Sequence, residues 1–140
     1  MENPLRLTQE GAVSPRERGS RVRIGGDELA PRQARREVAA LRPEVDSSVL
    51  ATTELLVTEL VTNSVRHAGA NAVELAVSVD PRRVRVEVAN PGAPFTPRDR
   101  KEAREPDPGW GLFLVDELSD AWGVHGDAGC QRVWFEINRI

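Results

Sequence analysis

Apolar residues recur along this chain with two distinct periods. Between Asp46 and Ala68 the row Val49, Leu50, Thr53, Leu56, Val57, Leu60, Val61, Val65 and Ala68 follows the i, i+3, i+4 recurrence of a helix packed on one side. Asp46 suits an N-cap and Gly69 a C′ position, so the spacing predicts a helix over 46–68. The period then changes to two, with Val73, Leu75, Val77 and Val79 followed by Val84, Val86 and Val88. Asp80-Pro81-Arg82-Arg83 between them is a turn of hairpin length. Each strand collects its valines and leucines on one face, so one side of this sheet is covered by the long helix.

The flanking segments carry weaker patterns. Residues 1–20 have no period and read as a flexible leader. Arg21-Val22-Arg23-Ile24 alternates as a short edge strand ended by Gly25-Gly26. A helix follows Pro31 through Ala34, Val38 and Leu41 and stops at Pro43. From Asn90 to Gly109, prolines at 91, 94, 97, 106 and 108 break all periodicity and predict a long exposed loop. Leu112–Leu118 then predicts an amphipathic helix that stops at Gly123, and Val124-His125 pairs with Val133–Ile137 as a closing hairpin. Together these give one domain over 21–140, an α/β two-layer sandwich with a mixed, mainly antiparallel sheet.

Composition narrows the function classes. A length of 140 residues suits a single self-sufficient core. Nineteen basic against twenty-two acidic residues give a net charge of −3, which speaks against a basic-patch nucleic-acid binder. One cysteine, Cys130, rules out a disulfide framework and a cysteine-based metal centre. The strictly apolar runs Val38–Leu41 and Leu112–Val115 are only four residues long, and the first residues lack a secretory apolar stretch. No membrane association and a reduced, cytoplasmic setting are therefore expected.

Chemistry concentrates at three places. Glu59 and Asn63 lie four apart on the long helix, one above the other, and His67 continues the row. An ordinary solvated helix edge explains Glu59 taken alone, whereas asparagine is seldom placed mid-helix without a partner. Gly109-Trp110-Gly111 before a helix lets the backbone approach an anion at free N–H groups. Lacking a third glycine and a Gly-Lys-Ser/Thr ending, it is neither a dinucleotide fingerprint nor a Walker loop. Asn90-Pro91-Gly92 after a strand is either a plain turn or a pocket edge at which Asn90 offers an acceptor and a donor to a base.

In this order along the chain, the motifs resemble those of the GHKL ATPases, the group of gyrase, MutL and the histidine kinases, over about Arg21 to Ile137. Glu59-Leu-Val-Thr-Asn63-Ser-Val-Arg-His67-Ala68 is similar to the N box, and Asn90-Pro-Gly92 falls at the Asp-x-Gly box. Gly109-Trp-Gly111-Leu-Phe-Leu-Val-Asp116 resembles the second glycine box, and Gly129 to Glu136 the last, strand-borne one. Within the group the wording is most similar to the anti-sigma-factor serine kinases. The resemblance implies a Bergerat ATP-binding fold and a serine/threonine kinase that uses ATP and Mg²⁺. Such a kinase phosphorylates a STAS-type anti-sigma-factor antagonist, sequesters a sigma factor and forms a homodimer through the sheet edge near the N-terminal strand.

The roles implied by the resemblance make physical sense. Asn63 would ligate Mg²⁺ through its amide oxygen, and Glu59 would act as general base on the incoming hydroxyl. His67, Asn90, Gly92, Gly109, Trp110, Gly111, Leu112 and Arg132 complete the implied nucleotide-binding set with Asn63. Arginines of the loop, such as Arg98, Arg100 or Arg104, would stabilise the transferring phosphoryl group. Two positions depart from the pattern. Asn90 stands where the family reads adenine with aspartate; a charged acceptor is worth ~1 kcal/mol more than a neutral one, which predicts several-fold weaker binding. Arg132 stands where threonine is usual and either brings a cation to the phosphates or points outward. These departures keep a competing reading open, a catalytically impaired module of the same fold that acts by partner capture.

Overall fold

The computed structural model describes residues 18–66, 71–91, 110–127 and 130–139. In chain order they form β1 (Arg18–Gly25), α1 (Ala30–Ala39), α2 (Ser47–Arg66), β2 (Ala72–Val79), β3 (Arg83–Pro91), α3 (Trp110–Leu118), β4 (Ala121–Asp127) and β5 (Cys130–Asn138). The strands make one sheet in the order β1-β2-β3-β5-β4. The two-layer α/β sandwich is the one predicted, but the sheet is antiparallel at every pairing among the described residues, not mixed. The reason is that β5 returns between β3 and β4 and runs opposite to both.

Helix α2 forms where the 3.6-residue pattern is strongest, and it buries Leu50, Leu56, Val57, Leu60 and Val61. Two hydroxyls go under with them. Thr53 Oγ1 donates to the Val49 carbonyl at 2.7 Å and Ser64 Oγ to the Leu60 carbonyl at 3.0 Å, so neither is left unsatisfied. Asp46 begins the helix as expected, accepting from the Ser48 N–H at 3.1 Å and the Ser48 hydroxyl at 2.5 Å. Those bonds, the hydroxyl's first, hold the Asp46 carboxyl below its ordinary pKa.

Alternation decides which face of the sheet is covered. Val73, Leu75, Val77 and Val79 of β2, Val84, Val86 and Val88 of β3, and Val133, Phe135 and Ile137 of β5 are all buried on the helix side. The other face carries charged pairs: Arg85 Nη1 to Glu136 Oε2 at 2.9 Å, Arg83 Nη1 to Glu136 Oε1 at 3.6 Å and Arg132 Nη1 to Glu87 Oε2 at 3.1 Å. These pairs are partly exposed, so each contributes at most about 1 kcal/mol. Among the described residues no helix packs on this second, uncovered face, and their core lies between sheet and helices.

Several boundaries differ from the expectation. Strand β1 starts at Arg18, so residues 18–20, assigned to the leader, are strand; residues 1–17 lie outside the described residues. Pairing of Arg18, Gly19 and Ser20 with Val79, Ser78 and Val77 needs backbone groups alone, which is why polar side chains hid it. Helix α1 ends at Ala39, short of Leu41, and a turn through Arg42–Pro43, a cis peptide bond, follows. Helix α3 ends at Leu118, not Gly123, and Ala121–Gly123 belongs to β4. Asp120 explains the early stop: its N–H donates to the Glu136 carbonyl at 2.8 Å and its carboxylate accepts from the Asn138 N–H at 2.7 Å.

Gly123 is not a helix stop but a place for an indole. It pairs with Trp134, and a Cβ on it would lie 2.6 Å from Trp134 Nε1 and 2.9 Å from Cε2. The Arg85 guanidinium sits 4.3 Å from the centre of the same ring, so the indole is held from its other side. Gly123→Ala is expected to destabilise the domain by about 1–3 kcal/mol through overpacking. A lowered urea midpoint at unchanged slope is the measurement, and an unchanged midpoint would show that the indole swings aside freely.

Candidate functional site

Glu59 and Asn63 stand one turn apart on α2, each half-buried, flanked by the buried Leu60, Val61 and Ser64. Two polar residues earlier on the helix are occupied. Thr58 Oγ1 accepts from Arg35 Nη1 at 3.2 Å and donates to the Glu54 carbonyl at 2.7 Å, while Glu54 pairs with Arg42 at 3.5 Å. Glu59 and Asn63, by contrast, take part in no hydrogen bond or ion pair among the described residues. Half-buried and unengaged among the described residues, this carboxylate and amide share one helix row that water or a ligand can reach.

Helix α2 packs against β2, β3 and β5 below it and against α3 beside it. Its C-terminal end leads towards the start of β2, and β2 pairs antiparallel with β3, so Asn63 lies towards the end of the sheet at which β3 reaches Asn90. Asn90 is a strand residue, not a turn residue, and is only 3% exposed. Its Nδ2 donates to Gln131 Oε1 on β5 at 3.2 Å, and its Oδ1 has no partner among the described residues. A buried amide oxygen without a partner costs about 1–3 kcal/mol unless something supplies a donor. That supports the pocket-edge alternative for Asn90.

The other predicted residues divide. Trp110, Gly111 and Leu112 open α3, whose Leu112 packs against the core. His67, Gly92 and Gly109, with the loop arginines Arg98, Arg100 and Arg104, lie outside the described residues. Arg132 goes to the uncovered face, bonded to Glu87 with its side chain on the far side of the sheet from Glu59 and Asn63. Its placement in the nucleotide set is corrected: of the two alternatives, outward is the one realised, because residues 132, 134 and 136 alternate with the buried Val133, Phe135 and Ile137.

The same alternation turns Gln131 inward to meet Asn90, and Gln131 is a residue that motif reading missed. Period-2 parity with Val133 was the signal available for it. A cleft of about 110 Å³ lined by Ser78, Asp80, Arg83, Arg85 and Glu136 occupies the uncovered face near the start of β3, remote from Asn90 at its other end. Both arginines there already pair with Glu136. Among the described residues, no three of His, Cys, Asp and Glu cluster to hold a metal ion, and no helix is long and apolar enough to cross a membrane.

Residues 27–137 match the model of a protein family described as the histidine kinase-like ATPase domain. Among solved structures, the chain is similar to the RsbU and RsbW domains of Rv1364c from Mycobacterium tuberculosis. The two share 19% identity at a TM-score of 0.67, over 87% of this chain and 32% of that one. At that identity the likeness is one of fold, and the present chain spans about a third of the other's length. No curated protein matches the sequence.

Proposed function

Because the chain belongs to the histidine kinase-like ATPase family, we propose that it is an ATP- and Mg²⁺-dependent anti-sigma-factor serine/threonine kinase. The observations that carry the proposal are the unengaged Glu59–Asn63 row on α2 and the buried, unsatisfied Asn90 oxygen at the end of β3 towards which α2 runs. The donor set suits the ligand. An orphan acceptor at Asn90 fits the exocyclic amine of adenine, and a single amide oxygen at Asn63 fits hard, oxygen-loving Mg²⁺, whose remaining ligands are phosphate and water.

When bound, Mg-ATP supplies the transferable phosphoryl group. Asn63 holds the metal side of the site through its amide oxygen. Glu59, one turn earlier, takes the proton from a serine hydroxyl presented by the partner. The resemblance adds the backbone N–H groups at Gly109, Gly111 and Leu112 as the phosphate cradle, with His67 and Gly92 at its margins. Arg132 is left out of the set. Its outward position, bonded to Glu87, speaks for a cation kept on the far face of the sheet, while the departures at Asn90 and Arg132 keep the catalytically impaired module as the competing reading.

The partner is a STAS-type antagonist, the other target is a sigma factor, and the setting is cytoplasmic. A homodimer along β1 completes the proposal, supported by the place of β1 at one end of the strand order. Calorimetric titration with Mg-ATP tests the nucleotide reading. Saturable one-to-one binding is expected in the wild type, with affinity in Mg²⁺ reduced about tenfold in Asn63→Ala, the equivalent of ~1.4 kcal/mol. No heat at millimolar nucleotide would refute it.

A further inference from the structure

Asn90 and Gln131 oppose each other across β3 and β5 on the helix side of the sheet. The Asn90 side chain donates from Nδ2 to Gln131 Oε1 at 3.2 Å and keeps Oδ1 without a partner among the described residues, at 3% exposure. Both side chains are primary amides, each with one acceptor and one two-proton donor. The pair therefore has a second arrangement that a carboxylate at either position would forbid. Turning both amides over preserves their mutual bond, now from Gln131 Nε2 to Asn90 Oδ1, and leaves Asn90 Nδ2 as the spare group.

Resting on the nucleotide reading above, we propose that the Asn90–Gln131 amide pair reads the six-position of a purine, with Gln131 as the positioning residue that decides what Asn90 offers there. In the observed arrangement Asn90 accepts from a 6-amino group. In the inverted arrangement it donates to a 6-oxo group. The site consequently takes both 6-amino- and 6-oxopurine nucleoside triphosphates, whereas a carboxylate at position 90 would accept only and turn the 6-oxo base away.

The test is the ratio of the ITP and ATP dissociation constants, measured by calorimetry with Mg²⁺ on the full chain. The two nucleotides differ at the six-position and the adjoining ring nitrogen, so effects of a variant on the triphosphate cancel in the ratio. Wild-type protein is expected to favour ATP by less than about tenfold. Gln131→Glu only accepts, locks the Asn90 N–H onto itself, and is expected to raise the preference for ATP about tenfold. Gln131→Lys only donates, occupies the Asn90 oxygen, and is expected to shift the ratio by a similar factor towards ITP. Asn90→Asp should reproduce the Gln131→Glu ratio without touching residue 131. A wild type that binds ATP while all three variants keep its ratio would overturn the role of the pair and leave the nucleotide reading standing. A folded wild type that binds neither nucleotide would overturn both.

Discussion

Phosphoryl transfer by Glu59→Gln protein is expected to fall about 10²–10⁴-fold below wild type, the range over which a positioned general base contributes. Glutamine keeps the size and the hydrogen-bonding reach of the side chain and loses its basicity. Since Glu59 has no ion pair or hydrogen bond among the described residues, the exchange removes no contact that supports the fold. Stability and Mg-ATP affinity should therefore stay near wild type while the rate collapses. The measurement is single-turnover transfer of labelled phosphate to a STAS-type antagonist, with affinity followed in parallel by calorimetry. Undiminished transfer would remove Glu59 from the mechanism. A fall in affinity equal to the fall in rate would instead assign it to ground-state binding.

Phe135→Ala is expected to cost about 3–5 kcal/mol, the range for deleting a buried phenylalanine. The ring is fully buried on the inner face of β5, in the middle of the sheet, where it opposes Val86 of β3 and Trp122 of β4. Both neighbours sit on paired strands, so neither backbone moves in to fill the space. Against a total stability of about 5–15 kcal/mol for a domain of this kind, the loss leaves the protein marginal. Urea unfolding followed by tryptophan fluorescence reads it directly. Leu55→Ala is the control: Leu55 is 43% exposed on the outer side of α2, and its removal should change stability by no more than about 0.5 kcal/mol. Equal losses at the two positions would contradict the burial pattern on which the two-layer description rests.

Much of this architecture is legible in the linear chain because it follows from local periodicity. Helix α2 and strands β2 and β3 appear where their patterns predict them, and the turn at Asp80 closes as its residues suggest, with Asp80 Oδ1 accepting from the Arg82 and Arg83 N–H groups. The Glu59–Asn63 spacing needs nothing beyond a helix to bring the two side chains onto one row. Period-2 parity with Val133, Phe135 and Ile137 also contains the outward direction of Arg132, which the motif resemblance leaves open.

What the linear chain left open involves partners far apart in it. The end of α3 depends on Asp120 meeting Glu136 and Asn138, and the early start of β1 depends on backbone groups of β2 some sixty residues away. The bond between Asn90 and Gln131 spans 41 residues and exists because β5 returns beside β3 in one particular register. Amphipathic spacing reports which face of a segment is buried but says nothing of which strand lies alongside it. Register is decided by the simultaneous packing of several segments, and that is why the helix row is visible in the sequence while the amide pair emerges only with the assembled sheet.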